Sequence, residues 1–456
     1  MRNIWYIFMM PNRVIDHAFQ PIKNVQVEKP SKMQVEEPSE TLLEKPSNTH
    51  ADTLSDYKRI GRIGYNINDA LSRNVYRGLS DGRKVAIKKH NSMIKACKEL
   101  RLLLHLSEEA RPHPNIIRYL CMEPDEHDPE FTYLALELCD GDLMTAVMEQ
   151  ISGFHDIVDP HNYFLQLSSG ICFLHKEGIQ HRDIKPQNIL WKRTVDGIAL
   201  VIFDFDMGHF CKEKSSHQMY GTIGWSAPEL YLLKETRSNA VDIFSLGCVF
   251  YFILTRGHPF GEISVPAECQ QNIISPEYKV SLDALYEHFN HSMHLTAMAE
   301  DLIHRMICSN ASDRIEGYKI MKHPFLLKKE EMANFLTKIG DYVDELDDPK
   351  VTDFKDKLKE NSDIVFEGKW LDKLDKYAKS DLSGFSKPGK ADNICFLLRA
   401  VRNKIVHFRK LRKMELRDTY LKSEFGVIEY YTKLFPKLVT YTYDVLERSE
   451  IENFAF

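Results

Sequence analysis

An α+β fold in two folded parts is predicted for this 456-residue chain. Three observations predict it. Short apolar β runs cluster between residues 57 and 139. Residues 326–456, rich in Lys, Glu, Leu, Tyr and Phe, carry helical spacing throughout. Between these regions stands His181-Arg182-Asp183-Ile184-Lys185-Pro186-Gln187-Asn188, a loop with polar residues at fixed offsets.

The totals narrow the function classes. Apolar residues make up 43% of the chain, enough to bury sizeable cores in two or three domains. A formal net charge of -6 and a pI near 6.4 exclude a global nucleic-acid-binding composition, so any RNA contact has to rest on a local patch. The nine cysteines are scattered, with no C-x-x-C pair. That speaks against a disulfide framework or zinc site and for a reducing compartment. Residues 4–10 are apolar but too short to span a bilayer, and no other run approaches the roughly 18 apolar residues of a span. A soluble, cytoplasmic chain with no transmembrane segment is expected, with a peripheral anchor at 4–10 as the alternative.

Taken in order, residues 20–52 read as disordered. Glu28-Lys29-Pro30-Ser31, Glu36-Glu37-Pro38-Ser39 and Glu44-Lys45-Pro46-Ser47 recur every eight residues. Such a composition cannot bury enough surface to offset chain entropy, so a tether is expected. Structure is expected from near Tyr57. Ile60-Gly61-Arg62-Ile63-Gly64 followed by Asn74-Val75-Tyr76-Arg77-Gly78 suggests a hairpin. Val85-Ala86-Ile87-Lys88 is a β run ending in lysine, and Glu99, in the helical stretch from Met93 to Leu106, is its natural anionic partner. Tyr133–Cys139 reads as a buried strand, and Val201-Ile202-Phe203 as another that leads to Asp204-Phe205-Asp206.

The loop at 181–188 carries chemistry. Phosphoryl transfer needs mostly positioning and charge neutralisation. Asp183 can accept the proton of an attacking hydroxyl, Lys185 can approach the transferred phosphoryl group, and Asn188 can hold Mg2+, which prefers oxygen ligands. At H-R-D-x-K-P-x-N and V-A-I-K the sequence resembles a eukaryotic-type protein kinase. The resemblance implies ATP or ADP as ligand, with Lys88 and Glu99 at the phosphates and Asn188 and Asp204 on Mg2+. It also implies that Leu136 closes the back of the purine pocket and that the backbone of Glu137 and Cys139 bonds the adenine edge. The chain departs from the kinase pattern twice. The glycine-rich loop lacks its third glycine, and Asp206 stands where kinases carry the glycine of D-F-G.

The activation segment runs from Asp204 to Glu229. Ser215, Ser216, Tyr220 and Thr222 are candidate phosphosites beside Lys212 and Lys214, and added phosphate would pair with Arg182. Asp242, and Glu229 with Arg314, read as structural carboxylate contacts. Lys322-His323-Pro324-Phe325 closes this region.

In the C-terminal part, Ile394, Leu397, Leu398, Val401, Ile405 and Phe408 make one apolar helix face. Arg399, Asn403 and His407 fall four apart on nearly the opposite face, with Arg402 alongside. A histidine titrates near neutrality, and arginine with asparagine can hold a phosphate and a ribose hydroxyl. Together they can run a metal-free RNA cleavage, in which the 2'-OH attacks its own phosphate and His407 protonates the leaving 5'-oxygen. Alone, this pattern is also an ordinary solvated face. Leu397-Leu-Arg-Ala-Val-Arg-Asn-Lys-Ile-Val-His-Phe-Arg409, directly behind a kinase-like region, resembles the nuclease (KEN-type) domain of the inositol-requiring enzyme of the unfolded-protein response, and is similar to that of ribonuclease L. Trp370 and Phe435-Pro436-Lys437-Leu438 also fit, and the resemblance covers roughly residues 57–450.

The expected architecture is therefore a bilobal protein-kinase fold followed by an all-helical ribonuclease domain: 1–52 a disordered segment, 53–326 kinase-like, 327–456 endoribonuclease. The resemblance implies an RNA substrate, a nucleotide-favoured homodimer or higher oligomer that builds a composite RNA groove, trans-autophosphorylation, and a location at the cytosolic face of the endoplasmic reticulum. Lys404, Arg409, Lys410, Arg412 and Lys413 supply local positive charge. The family's nuclease tyrosine is missing, because Gly384–Asn393 contains none and Phe385 or Pro388 stands nearby. The rival readings are a plain Ser/Thr kinase, or a nucleotide-sensing pseudokinase, whose C-terminal domain only dimerises.

Overall fold

Six strands open the folded region: β1 Tyr57–Ile60, β2 Ile63–Ser72, β3 Val75–Ser80, β4 Arg83–His90, β5 Tyr119–Pro124 and β6 Thr132–Glu137. They form one antiparallel sheet in the order β1-β2-β3-β4-β6-β5. In the computed structural model the described residues are 57–449 except 108–111, 126, 129, 152–159, 214–220, 233–237, 279, 346–347, 383–389, 409–417, 419 and 421–422. The proline-glutamate repeats and residues 4–10 lie outside them.

β4 is central, so both of its faces are covered, and Val85, Ala86, Ile87 and Lys88 are all buried. A small cluster of Ile60, Ile63, Tyr65, Ile87 and Tyr133 fills one side of the sheet. Helix α1, Met93–Ser107, buries Ala96, Glu99, Leu102, Leu103 and Leu106. Its hydrophobic spacing therefore turns one carboxylate, Glu99, inward with the leucines.

The long gap between Gly64 and Val75 is not an open loop. β2 extends to Ser72 and pairs with β3 through a pronounced bulge: Tyr65 faces Gly78 and Ala70 faces Tyr76, so four residues of β2 oppose Arg77 alone. Gly78 is needed for close packing, since a Cβ there would meet the Gly64 carbonyl at 2.5 Å and Ile87 at 2.7 Å.

The second lobe is built on helices α2 (His161–Lys176), α3 (Ala240–Thr255) and α4 (Met293–Ile307). Two short sheets position its loops. β7 (Gly141–Asp142), β9 (Ile189–Thr194) and β10 (Gly197–Ile202) form one, and β8 (Ile179–Gln180) pairs with β11 (His209–Phe210) in the other. The loop at 181–188 runs from β8 to β9, and residues 203–208 run from β10 to β11. Because β9 pairs with β10 and β8 with β11, the two loops are clamped side by side.

The chain continues through helices α5 (Lys329–Tyr342), α6 (Pro349–Glu360), α7 (Ile394–His407), α8 (Glu424–Leu434) and α9 (Leu438–Arg448). One buried cluster runs from the helical lobe into these helices without a break. Arg305 of α4 ties the junction, bonding Asp301 at 2.8 Å and Asp444 of α9 at 2.9 Å. α5 and α7 pack so closely at Gly340 that a Cβ there would run into the Cβ of Arg402. Among the described residues no helix is long and apolar enough to cross a membrane.

Candidate active site

The first cluster lies between the lobes. The Lys88 Nζ is 2.8 Å from Glu99 Oε2, 2.7 Å from Asp204 Oδ1 and 3.0 Å from Asp206 Oδ1. The expected Lys88–Glu99 pair is formed, but Asp206 adds a third carboxylate to the same ammonium. Burial by itself lowers a lysine, yet Glu99, Asp204 and Asp206 together hold Lys88 above its ordinary value. Burial also raises a carboxyl, but the Lys88 ammonium and the His90 ring, 2.8 Å away, bring Glu99 well below the carboxylate range. For Asp206 burial outweighs the attraction of Lys88 and pushes the carboxyl up to about 6. The backbone does not resist this residue. The left-handed conformation falls on Asp204, with φ 69°, rather than on Asp206, so replacing the glycine of D-F-G costs no strain of that kind.

The loop residues meet in one network. Asp183 accepts hydrogen bonds from Lys185 Nζ at 2.7 Å and from Asn188 Nδ2 at 2.8 Å. Its other oxygen accepts from the Thr222 hydroxyl at 2.6 Å, and Lys185 Nζ also donates to that hydroxyl at 2.6 Å. Thr222, read from the sequence as a phosphosite, is thus committed to the loop itself. Ser215, Ser216, Tyr220 and Lys214 lie outside the described residues. Arg182, expected to meet an added phosphate, is buried with its guanidinium on Gln180 Oε1 at 2.8 and 3.0 Å. Asp242, fully buried, accepts from the backbone amides of His181 at 3.0 Å and Arg182 at 2.8 Å, which pins the start of the loop.

The donor set suits a hard cation. Asn188 commits its amide nitrogen to Asp183, and Asp204 has one oxygen on Lys88. One oxygen of each side chain is left without a hydrogen bond among the described residues, and oxygen is what Mg2+ takes. At the expected adenine end Leu136 and Cys139 are buried, and the Glu137 carboxylate is held by Lys192 at 2.6 Å.

The second cluster lies on α7. Asn393 caps this helix by accepting from the Cys395 amide at 2.9 Å. Ile394, Leu397, Leu398, Val401 and Phe408 are buried as their spacing predicts, and Ile405 is half-buried at the edge. His407 is exposed at the C-terminal end and Asn403, one turn earlier, is half-exposed. Arg402 donates to Asn403 Oδ1 at 2.8 Å. The arginines are not open, however. Arg399 pairs with Asp344 at 2.9 Å, and Arg402 pairs with Asp341. Lys404 pairs with Asp381. Arg409, Lys410, Arg412 and Lys413, like Phe385 and Pro388, lie outside the described residues. The partners Asp341, Asp344 and Asp381 were missed from the sequence, because nothing in a lone acidic residue tells which distant helix it will face.

A two-lobed fold with this lysine, aspartate and asparagine arrangement defines a protein kinase domain, here joined to a helical domain. The family model for the protein kinase domain matches residues 72–326, and that for ribonuclease 2-5A matches residues 332–456. The chain belongs to the protein kinase family, and its kinase domain is followed by a region that matches the ribonuclease 2-5A family model. It is 31% identical over 412 residues to the human serine/threonine-protein kinase/endoribonuclease IRE2, covering 86% of this chain and 42% of that protein. It is 34% identical over 390 residues to the Caenorhabditis elegans serine/threonine-protein kinase/endoribonuclease ire-1, covering 82% and 38%. It is 29% identical over 440 residues to the Schizosaccharomyces pombe sensor for unfolded proteins in the ER ire1, covering 86% and 38%. The chain thus spans about two fifths of the length of these relatives.

Proposed function

We propose that this chain is a Ser/Thr protein kinase/endoribonuclease that binds ATP or ADP between its lobes, dimerises, and cuts RNA with its C-terminal domain. Residues 53–326 form the kinase part and 327–456 the nuclease part. The observation that carries the reading is the exposed His407 on the same helix as the bonded pair Arg402–Asn403, in a domain that follows the one holding the Asp183 network.

In the cleft, Lys88 meets the nucleotide phosphates, with the hinge backbone at Glu137 and Cys139 on adenine and Leu136 behind it. Asp183 takes the proton of the acceptor hydroxyl and Lys185 follows the moving phosphoryl group. Asn188 and Asp204 hold Mg2+, which neutralises phosphate charge when bound. On α7, Arg402 neutralises the scissile phosphate and Asn403 orients the ribose. The 2'-oxygen forms a bond to phosphorus as the bond to the 5'-oxygen breaks. His407 gives its proton to that oxygen, and the 2'-OH proton passes to solvent. Purified protein incubated with a stem-loop RNA, with and without ADP and Mg2+, tests this across protein concentration. Cleavage that rises steeply with concentration is expected. Intact RNA at every concentration, alongside radiolabelled phosphate transfer lost in Asp183→Ala, favours a plain kinase instead.

One observation favours the second reading, a nucleotide-sensing pseudokinase: Asp206 competes with phosphate for Lys88. Asp206→Gly is expected to tighten Mg-ATP binding about tenfold, equivalent to roughly 1.4 kcal/mol, by calorimetry. Unchanged affinity shows that Asp206 does not compete. A related competition holds on α7, where Asp341 occupies the guanidinium meant for RNA phosphate. Asp341→Asn is expected to lower KM for RNA about two- to fivefold, in the range of an exposed ion pair, and to steepen its salt dependence. A KM and salt slope equal to wild type show that the carboxylate is not in the way.

A further inference from the structure

The strand pair over the phosphate end of the cleft has part of its backbone already engaged. In the bulge of β2 the Asn68 amide is taken by the Asn66 side chain at 2.9 Å, and Asp69 accepts from Arg77 at 3.4 Å. The bulge is thus closed on itself and carries an acidic residue. Beneath it, one ammonium faces three carboxylates, so Lys88 brings no surplus positive charge to a triphosphate. Beyond what a bound Mg2+ would supply, positive charge has to come from elsewhere.

The tip of the hairpin and the first turn of α1 offer it. The Lys89 amide donates to the Asn74 carbonyl at 2.8 Å, and Val75 lies opposite Lys88 in the β3–β4 register. This fixes Arg73 and Asn74 over the end of β4, where α1 begins. A cavity of about 370 Å³ opens there, lined by Arg73, Asn74, Lys88, His90, Lys95 and Asp206 among others. Arg73 and Lys95 are exposed and stand in no ion pair among the described residues. Lys89 also borders the cavity, but its ammonium sits over the Phe131 ring at 3.6 Å. Two cations with no ion pair among the described residues therefore line the same polar cavity as Lys88.

We infer that Arg73 and Lys95 form a side-chain clamp for the terminal phosphate of a nucleoside triphosphate, in place of the backbone contacts that this hairpin has already engaged. The inference rests on the proposed nucleotide cleft and adds a specificity to it. A triphosphate reaches the clamp and a diphosphate falls short, so the clamp separates ATP from ADP. Charge-assisted contacts to phosphate are the strong class of hydrogen bond, and arginine presents two donors to one phosphate.

The test measures ATP and ADP binding to the full chain by calorimetry with Mg2+ present, for wild type, Arg73→Ala, Lys95→Ala and the double variant. Both side chains are exposed, so the variants are expected to fold, and thermal unfolding checks it. The double variant is expected to bind ATP about tenfold more weakly and to hold ADP within twofold of wild type. Equal loss for ATP and ADP, or no loss for either, overturns the clamp while leaving the nucleotide cleft in place. A wild-type protein that binds neither nucleotide overturns the cleft reading and the clamp with it.

Discussion

Replacing His407 by alanine is expected to lower RNA cleavage by about 10²–10⁴-fold, the usual worth of a positioned general acid, while ADP binding stays within twofold of wild type. The physical reason is the leaving group. A 5'-alkoxide departs poorly unless it is protonated as the bond breaks, and among neutral-pH acids imidazole is the side chain suited to that step. His407 is exposed at the end of α7, on the opposite side of the helix from the buried Leu397, Leu398 and Val401. Removing its ring therefore leaves the core untouched and separates chemistry from folding. Cleavage of a stem-loop RNA by the purified variant, with nucleotide binding followed in parallel, is the measurement. Cleavage equal to wild type removes His407 from the mechanism. Loss of both cleavage and nucleotide binding signals misfolding instead, and His407→Gln then serves as the milder replacement.

Arg314→Ala is expected to cost about 3–5 kcal/mol of folding stability, a large part of what a typical domain possesses. The Arg314 side chain is fully buried and meets both oxygens of Glu229, at 2.6 and 2.8 Å. It also donates to the carbonyls of Cys308 at 2.7 Å and Ala240 at 2.9 Å. Taking the guanidinium away leaves a buried carboxylate and these carbonyls without their partner. The charge left behind, more than the lost attraction, sets the cost. Urea unfolding should show the midpoint fall sharply in Arg314→Ala. Adding Glu229→Gln to it should recover part of the loss, because the stranded charge is gone. An unfolding free energy within about 0.5 kcal/mol of wild type would show that the pair is not an anchor of the helical lobe.

Much of the architecture was legible in residue order. Val85–Lys88 reads as a strand from its β-branched and apolar run, and β4 covers it. The apolar positions of α1 and α7 recur at helical spacing and are the ones buried. Lys88 and Glu99 are only 11 residues apart, so a strand and the helix after it bring them together by short-range geometry. The hairpin was read correctly as a hairpin, but not its bulge. The four residues that face Arg77 depend on cross-strand register, which the partner strand decides.

Competition for charge was not legible at all. Asp206 could be seen to replace a glycine, yet its approach to Lys88, 118 positions away, needs two loops clamped by β8–β11 and β9–β10. Arg402 and Asp341 meet because Gly340 lets α5 lie tightly on α7, and no spacing within either helix announces that.

The amino-acid order alone determined which groups exist and which side of each element is apolar, since those follow from residue type and from the local periods of helix and strand. Only the tertiary structure decided which cations are already taken: Lys88 by three carboxylates, Arg399 and Arg402 by Asp344 and Asp341, with Arg73 and Lys95 in no ion pair among the described residues. Ion pairing acts over a few ångströms between segments that are far apart in the chain, and it is packing that sets those distances.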